Sequence, residues 1–155
     1  MPTCGCLKVG AGPGRFTIEL AALGARITTT DVSDVQIAAN ERYVQEAGCD
    51  DRVEARFVLD VRDAARVGEG TFDAVVAYGG PLSYAFEDAE TAFVGLTHVV
   101  QPGGVVLASV MSLPGSMRHF LPVVARELDE YGRDVYEQIM KTGDLREIGK
   151  TDPDS

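Results

Sequence analysis

The chain is short of the residues that disulfide-stapled, zinc-bound and membrane-spanning proteins depend on. It has three cysteines in 155 residues, Cys4, Cys6 and Cys49. That is too few for a disulfide framework. Cys4-Gly5-Cys6 lacks the two-residue spacing of a zinc knuckle, and no second Cys or His pair follows it. No metal site is expected, and the thiols read as reduced ones in a cytoplasmic protein. There is no tryptophan, and only three residues are lysine. Basic residues number 14 against 24 acidic ones, a net charge of −10. Such a surface repels phosphate backbones, so nucleic acid is not an expected partner. No apolar run approaches the ~20 residues that span a bilayer. The chain does not open on a basic start followed by an apolar stretch, so neither a membrane role nor a leader is expected.

What is present is a globular balance, 45% apolar and 25% charged, at the length of one domain. Short β-branched runs alternate with longer helical ones. Cys6–Val9 reads as a first strand. A helix follows over 15–23, with Phe16, Leu20 and Leu23 on one face. A second strand covers 26–30 and ends at Asp31. Ser33 caps a helix over 34–47, whose expected apolar face is Val35, Ala38, Ala39 and Tyr43. Val53–Leu59 and Phe72–Tyr78 read as the third and fourth strands. A helix over 86–100 leads to a Pro102-Gly103-Gly104 turn and a fifth strand, Val105–Met111. A further helix after Pro114-Gly115 would carry Phe120, Val123, Val124, Leu128 and Tyr131. Weak helical character returns over Val135–Met140. Residues 1–140 read as one domain and 141–155 as a polar, disordered tail.

Strand then helix, repeated, implies an α/β fold: a doubly wound, mainly parallel sheet of about five strands with helices on both faces. Ligands of such sheets bind beyond the carboxyl ends of the strands, where the strand order reverses. The residues to read are therefore those just after each strand. Gly10-Ala11-Gly12-Pro13-Gly14 lies between strand one and helix one, where glycine lets a ligand approach the main chain. Asp31, about twenty residues on, stands where a carboxylate accepts from both hydroxyls of a ribose. Asp60 and Tyr78-Gly79-Gly80 occupy the matching ends of strands three and four. The dinucleotide pattern G-x-G-x-x-G wants a glycine where Arg15 stands, and a ligand without a pyrophosphate fits the observed spacing better.

Four collinear stretches carry a family resemblance. They are LKVGAGPGRFTIELAALGARITTTDVS, VEARFVLDVRDA, FDAVVAYGGPLSY and VVQPGGVVLASV. Together they resemble the class I S-adenosylmethionine-dependent methyltransferases, a Rossmann-like fold. The resemblance implies S-adenosyl-L-methionine as cofactor. It places Gly10, Ala11 and Gly12 along the methionine part and Gly14 at the turn into the helix. Asp31 would hold the ribose, and Val32 would pack on the adenine. Asp60 would meet the adenine amino group with the Val61 backbone beside it. Tyr78 and Gly79 would lie under the sulfonium.

Two departures stand out. The family usually has an acidic residue where this chain has Lys8. A lysine there either opposes the cationic cofactor or turns away or pairs elsewhere. The chain also resembles a member shortened at both ends, without the usual terminal strands. An apolar fifth strand left at the edge would invite a homodimer. The loop Gly80-Pro81-Leu82-Ser83-Tyr84 differs from the Asn-Pro-Pro-Tyr loop used on amide and exocyclic amino groups, so a small-molecule acceptor is expected. Tyr84 and His119 are the acceptor-side candidates. Two alternatives remain open at this stage: a truncated domain that binds cofactor without turnover, and a nicotinamide-dependent oxidoreductase.

Overall fold

The computed structural model describes residues 4–112, 126 and 128–142. The chain divides into two compact units, residues 1–110 and 111–155. The first holds five parallel strands: β1 (Gly5–Val9), β2 (Arg26–Asp31), β3 (Val53–Val58), β4 (Phe72–Ala77) and β5 (Val100–Ala108). Their spatial order is β3-β2-β1-β4-β5, so the order reverses between β1 and β4. The expected doubly wound α/β sheet is the observed one.

Alternation along the central strands builds two cores. Leu7 and Val9 of β1 and Val75 and Ala77 of β4 face α3 (Ala89–Val99), packing with Ala92, Leu96 and Val99. Cys6, Ile27 and Val76 face the other way, with Ala21 of α1 (Arg15–Ala22). Leu96 is fully buried, and burying such a side chain stabilises by about 1.5–3 kcal/mol. The cores form on both faces because the central strands β1 and β4 are covered on both sides.

The helix faces differ from those expected. In α1 the most buried positions are Thr17 and Ala21, while Leu23 is 83% exposed. In α2 (Asp34–Glu46) they are Asn40 and Val44, while Val35 is 71% exposed. The reason is a buried polar pair. The Asn40 amide donates to Thr17 Oγ1 at 3.0 Å and to the Gly12 carbonyl at 3.4 Å, so two polar residues turn inward together. The Ser33 cap is as expected, its Oγ accepting from the Gln36 N–H at 3.3 Å.

The third helix begins later than expected, at Ala89. Ser83–Asp88 is a 3₁₀ segment in which Phe86 takes a positive φ of 51°. A positive φ at a bulky residue is a strained conformation and breaks the helix there. The buried face of α3 is Ala92, Gly95, Leu96 and Val99. Strand β5 also begins earlier. Val100 already pairs with Phe72, and the register then shifts until Ala74 meets Val105. Pro102-Gly103-Gly104 is thus an excursion within β5. A Cβ on Gly104 would lie 2.6 Å from the Asp73 carbonyl, so only glycine lets the two backbones meet.

In the second unit, residues 128–131 are helical, and the Gly132 N–H donates to the Leu128 carbonyl at 3.0 Å. α4 (Arg133–Thr142) follows, over the stretch where weak helical character was expected. Phe120, Val123, Val124, His119 and the polar tail lie outside the described residues.

Candidate functional site

A cavity of about 420 Å³ opens at the carboxyl ends of the strands, beside the point where their order reverses. Its volume is that of a small-ligand site. Gly10, Gly12, Asp31, Val32, Asp60, Val61, Gly79 and Tyr84 line it. Ala11, Gly14 and Tyr78 are not among the lining residues and support it from behind. The Ala11 N–H donates to the Thr30 carbonyl at 2.9 Å, and that of Gly14 to the Ala11 carbonyl at 3.3 Å. The Tyr78 ring packs edge-on against Phe16, centroids 5.5 Å apart.

The glycine loop is held against the loop after β4. A Cβ on Gly10 would lie 2.9 Å from Pro81 Cβ, and Gly10 has φ +60°. Both the contact and the backbone conformation require glycine. Pro81 also lines the cavity, as do Val9, Pro13, Gln36, Leu59 and Arg62. None of these six was singled out from the sequence. The Gly79-Gly80-Pro81 run was the signal for Pro81, since it follows a buried strand.

Asp31 is 8% exposed. Its Oδ2 accepts from the Gly12 N–H at 2.8 Å and its Oδ1 from the Ser33 N–H at 3.0 Å. The carboxylate is therefore not free of the helix start, although Ser33 is the cap. Each oxygen has a lone pair left over from its single backbone bond. A vicinal diol, donating once to each oxygen, would complete the set. Val32, beside it, is 67% exposed and apolar, a flat place for an aromatic ring.

Asp60 is held differently. The Arg62 guanidinium grips both its oxygens, Nε to Oδ1 at 2.9 Å and Nη2 to Oδ2 at 2.6 Å. The Arg62 N–H adds a bond to Oδ1 at 2.9 Å. These bonds hold the Asp60 carboxyl below the usual carboxylate range, against the smaller opposing effect of burial. Oδ2 keeps a lone pair for an incoming donor such as an exocyclic amino group. Arg62 also reaches towards Asp88, at 3.7 Å.

Lys8 settles the first departure. It is fully buried and does not line the cavity. Its Nζ donates to the carbonyls of Val9 at 2.6 Å, Gly10 at 2.9 Å and Tyr78 at 2.9 Å. It thereby ties the loop after β1 to the loop after β4. Burial pushes its pKa down from 10.5 to about 8, with Asp31 and then Cys6 acting in the opposite direction. Burial likewise pushes the Cys6 thiol up to about 12, so it stays neutral. Among the described residues no cluster of three or more His, Cys, Asp or Glu could hold a metal ion. No helix among them is long and apolar enough to cross a membrane.

A parallel sheet with a glycine-lined cavity at its switch point, and a carboxylate set for a diol, defines a Rossmann-like nucleoside-cofactor domain. The methyltransferase domain model matches residues 6–104, nearly the whole first unit. The chain belongs to the class I S-adenosylmethionine-dependent methyltransferases. It is 31% identical over 108 residues to the tuberculostearic acid methyltransferase UfaA1 of Mycobacterium tuberculosis, covering 70% of this chain and 24% of that protein. The [4+2]-cyclase SpnF superposes with a TM-score of 0.59 at 28% identity, over 67% of this chain and 37% of that one. A Thiobacillus denitrificans S-adenosylmethionine-dependent methyltransferase, solved with S-adenosylhomocysteine, shares the fold with a TM-score of 0.56 at 21% identity. That match covers 67% of this chain and 40% of the other. The chain thus spans about a quarter of the length of its curated relative. Membership of this family removes the support for a nicotinamide oxidoreductase.

Proposed function

We propose that this chain binds S-adenosylmethionine in the 420 Å³ cavity and transfers its methyl group to a small-molecule acceptor. The observation that carries the reading is Asp31, buried at a strand end with one lone pair on each oxygen directed by a backbone N–H on the other. Asp31 takes the two ribose hydroxyls. Val32 packs on the adenine, and Asp60 with the Val61 backbone meets its amino group. Gly10, Ala11 and Gly12 run along the methionine part, Gly14 makes the turn, and Tyr78 and Gly79 lie beneath the sulfonium. The bound cofactor supplies a methyl group already activated for in-line displacement. The chain's share of the work is to orient both partners and exclude water.

Tyr84 lies at the mouth of the cavity, 62% exposed, where an acceptor would approach. His119 is the second acceptor-side candidate. The acidic composition and the Gly80-Pro81-Leu82-Ser83-Tyr84 loop favour a small molecule over nucleic acid. A cytoplasmic location suits the three free cysteines. A homodimer through β5 is part of the same reading. Among the described residues that strand is a sheet edge, and its Val105 and Leu107 are 47% and 43% exposed.

Calorimetric titration with S-adenosylhomocysteine, with NAD as control, tests the cofactor assignment. Micromolar binding of the first alone is expected. A folded sample that binds neither, or binds NAD, overturns it.

A further inference from the structure

Asn40 is a buried polar side chain that reaches the back of the glycine loop. It sits on α2, fully buried, one turn beyond Gln36, which lines the cavity. Both protons of its amide are used, one on Thr17 Oγ1 at 3.0 Å and one on the Gly12 carbonyl at 3.4 Å. Its Oδ1 accepts from the Arg56 Nε–H at 3.5 Å. The Arg56 side chain is 15% exposed and is anchored in turn by Asp50 at 2.5 Å. A carbonyl only accepts and a guanidinium only donates, so these two partners fix which way the amide faces. A Cβ on Gly14 would lie 3.4 Å from Asn40 Nδ2, so the turn into α1 rests on the same side chain.

Gly12 is thereby held on both sides of its Cα. Its N–H donates to Asp31 Oδ2 at 2.8 Å, and its carbonyl accepts from Asn40. Packing does not fix it, since a Cβ there would meet nothing within 4 Å. The peptide that follows ends at Pro13, which has no N–H, so a hydrogen bond can hold that peptide only through the Gly12 carbonyl. We propose that Asn40 is a positioning residue for the ribose site. It fixes the Gly12 backbone, and through it the Asp31 carboxylate that takes the two hydroxyls. The inference rests on the cofactor assignment made above. Asn40 does not line the cavity, so it acts through Gly12 rather than on the ligand. Thr17 ties α1 to α2 through the same amide but makes no bond to the glycine loop, so it separates a positioning role from a packing one.

Calorimetric titration with S-adenosylhomocysteine tests this in Asn40→Asp, which keeps the shape and loses both donors, and in Asn40→Ala, which suits the helix. Each variant is expected to bind about tenfold more weakly than the wild type, the worth of about one hydrogen bond. In an Asp31→Ala background the same change is expected to cost less than about twofold, because the group it acts through is gone. Thr17→Val is expected to lower Tm while leaving the affinity within about twofold. A folded Asn40 variant with wild-type affinity overturns the inference. So does a full tenfold loss in the Asp31→Ala background, or an equal loss in Thr17→Val. In the wild type, the side-chain amide signals of Asn40 should shift on saturation together with the Gly12 amide. Asn40 signals that stay still overturn the inference even if neither variant folds. A folded wild type that binds no S-adenosylhomocysteine overturns the cofactor reading itself, and this inference with it.

Discussion

Asp31 and Asp60 stand at strand ends on the same cavity and are held by opposite means. Asp31 is fixed by two backbone N–H groups, from Gly12 and Ser33, and is almost wholly buried. Asp60 is fixed mainly by a side chain, Arg62, which is itself half exposed. Backbone donors cannot swing away, so the first carboxylate is preorganised and its free lone pairs are fixed in space. A guanidinium can move, so the second carboxylate can exchange partners when a ligand arrives. In the proposed site the carboxylate assigned to the ribose is thus rigid and the one assigned to the base adaptable. Rigid groups supply most of the binding free energy because little ordering remains to be done.

The largest effect expected from this contrast is that of Asp31→Ala. It removes two ligand hydrogen bonds to a charged acceptor, each worth about 1.5–3 kcal/mol. S-adenosylhomocysteine affinity is expected to fall at least about 100-fold, by calorimetry. The Gly12 and Ser33 N–H groups also lose their acceptor, so thermal unfolding is expected to show a loss of about 1–3 kcal/mol. Equal losses for Asp31→Ala and Asp60→Ala would break the contrast, since Asp60→Ala is expected to cost only about tenfold.

The next effect concerns the cation beside the rigid end. Lys8 titrates near 8 in the folded protein and near 10.5 when unfolded. Between those values the unfolded chain binds more protons, so stability rises with pH across that window. The gain is on the order of 3 kcal/mol, at 1.36 kcal/mol for each pH unit between the two values. Denaturant unfolding at pH 8 and at pH 10.5 should show this rise in the wild type and not in Lys8→Met. A parallel rise in both would mean that Lys8 is not buried as a cation.

The smallest effect is that of Arg62→Ala. Arg62 is half exposed in its pair with Asp60, so stability at pH 7 is expected to change little. The Asp60 carboxyl resonance should titrate at higher pH once the guanidinium is gone, back towards the ordinary range. Cofactor affinity should move by less than about threefold. A large loss would show that Arg62 touches the ligand rather than only Asp60.

The same contrast explains what was legible in the sequence. The rigid elements were legible: the order of strands, the glycine loop, Asp31 and Asp60 all follow from reading strand ends. Periodicity misplaced the helix faces because it assigns apolar residues to the core. Thr17 and Asn40 satisfy each other there instead, and Leu23 and Val35 stay outside. The β5 excursion was read as a turn before the strand because Pro-Gly-Gly signals a turn wherever it falls. The Phe86 kink has no local sequence signal, since a positive φ at phenylalanine is imposed by its surroundings. Lys8 was legible as a departure, but its direction was not. A lysine on an interior strand can turn towards a ligand or towards carbonyls, and only the neighbouring Tyr78 loop decides between them. Arg62 was missed because an exposed arginine two residues after an aspartate is common on any surface.

The claim on which the rest depends is that a ligand's hydroxyls complete the Asp31 carboxylate. Amide chemical shifts followed by ¹⁵N–¹H correlation spectra during titration with S-adenosylhomocysteine test it residue by residue. The Gly12 and Ser33 amides, which both donate to Asp31, should move together and saturate with the calorimetric affinity. Binding that saturates while those two amides stay still would place the ligand elsewhere and contradict the account.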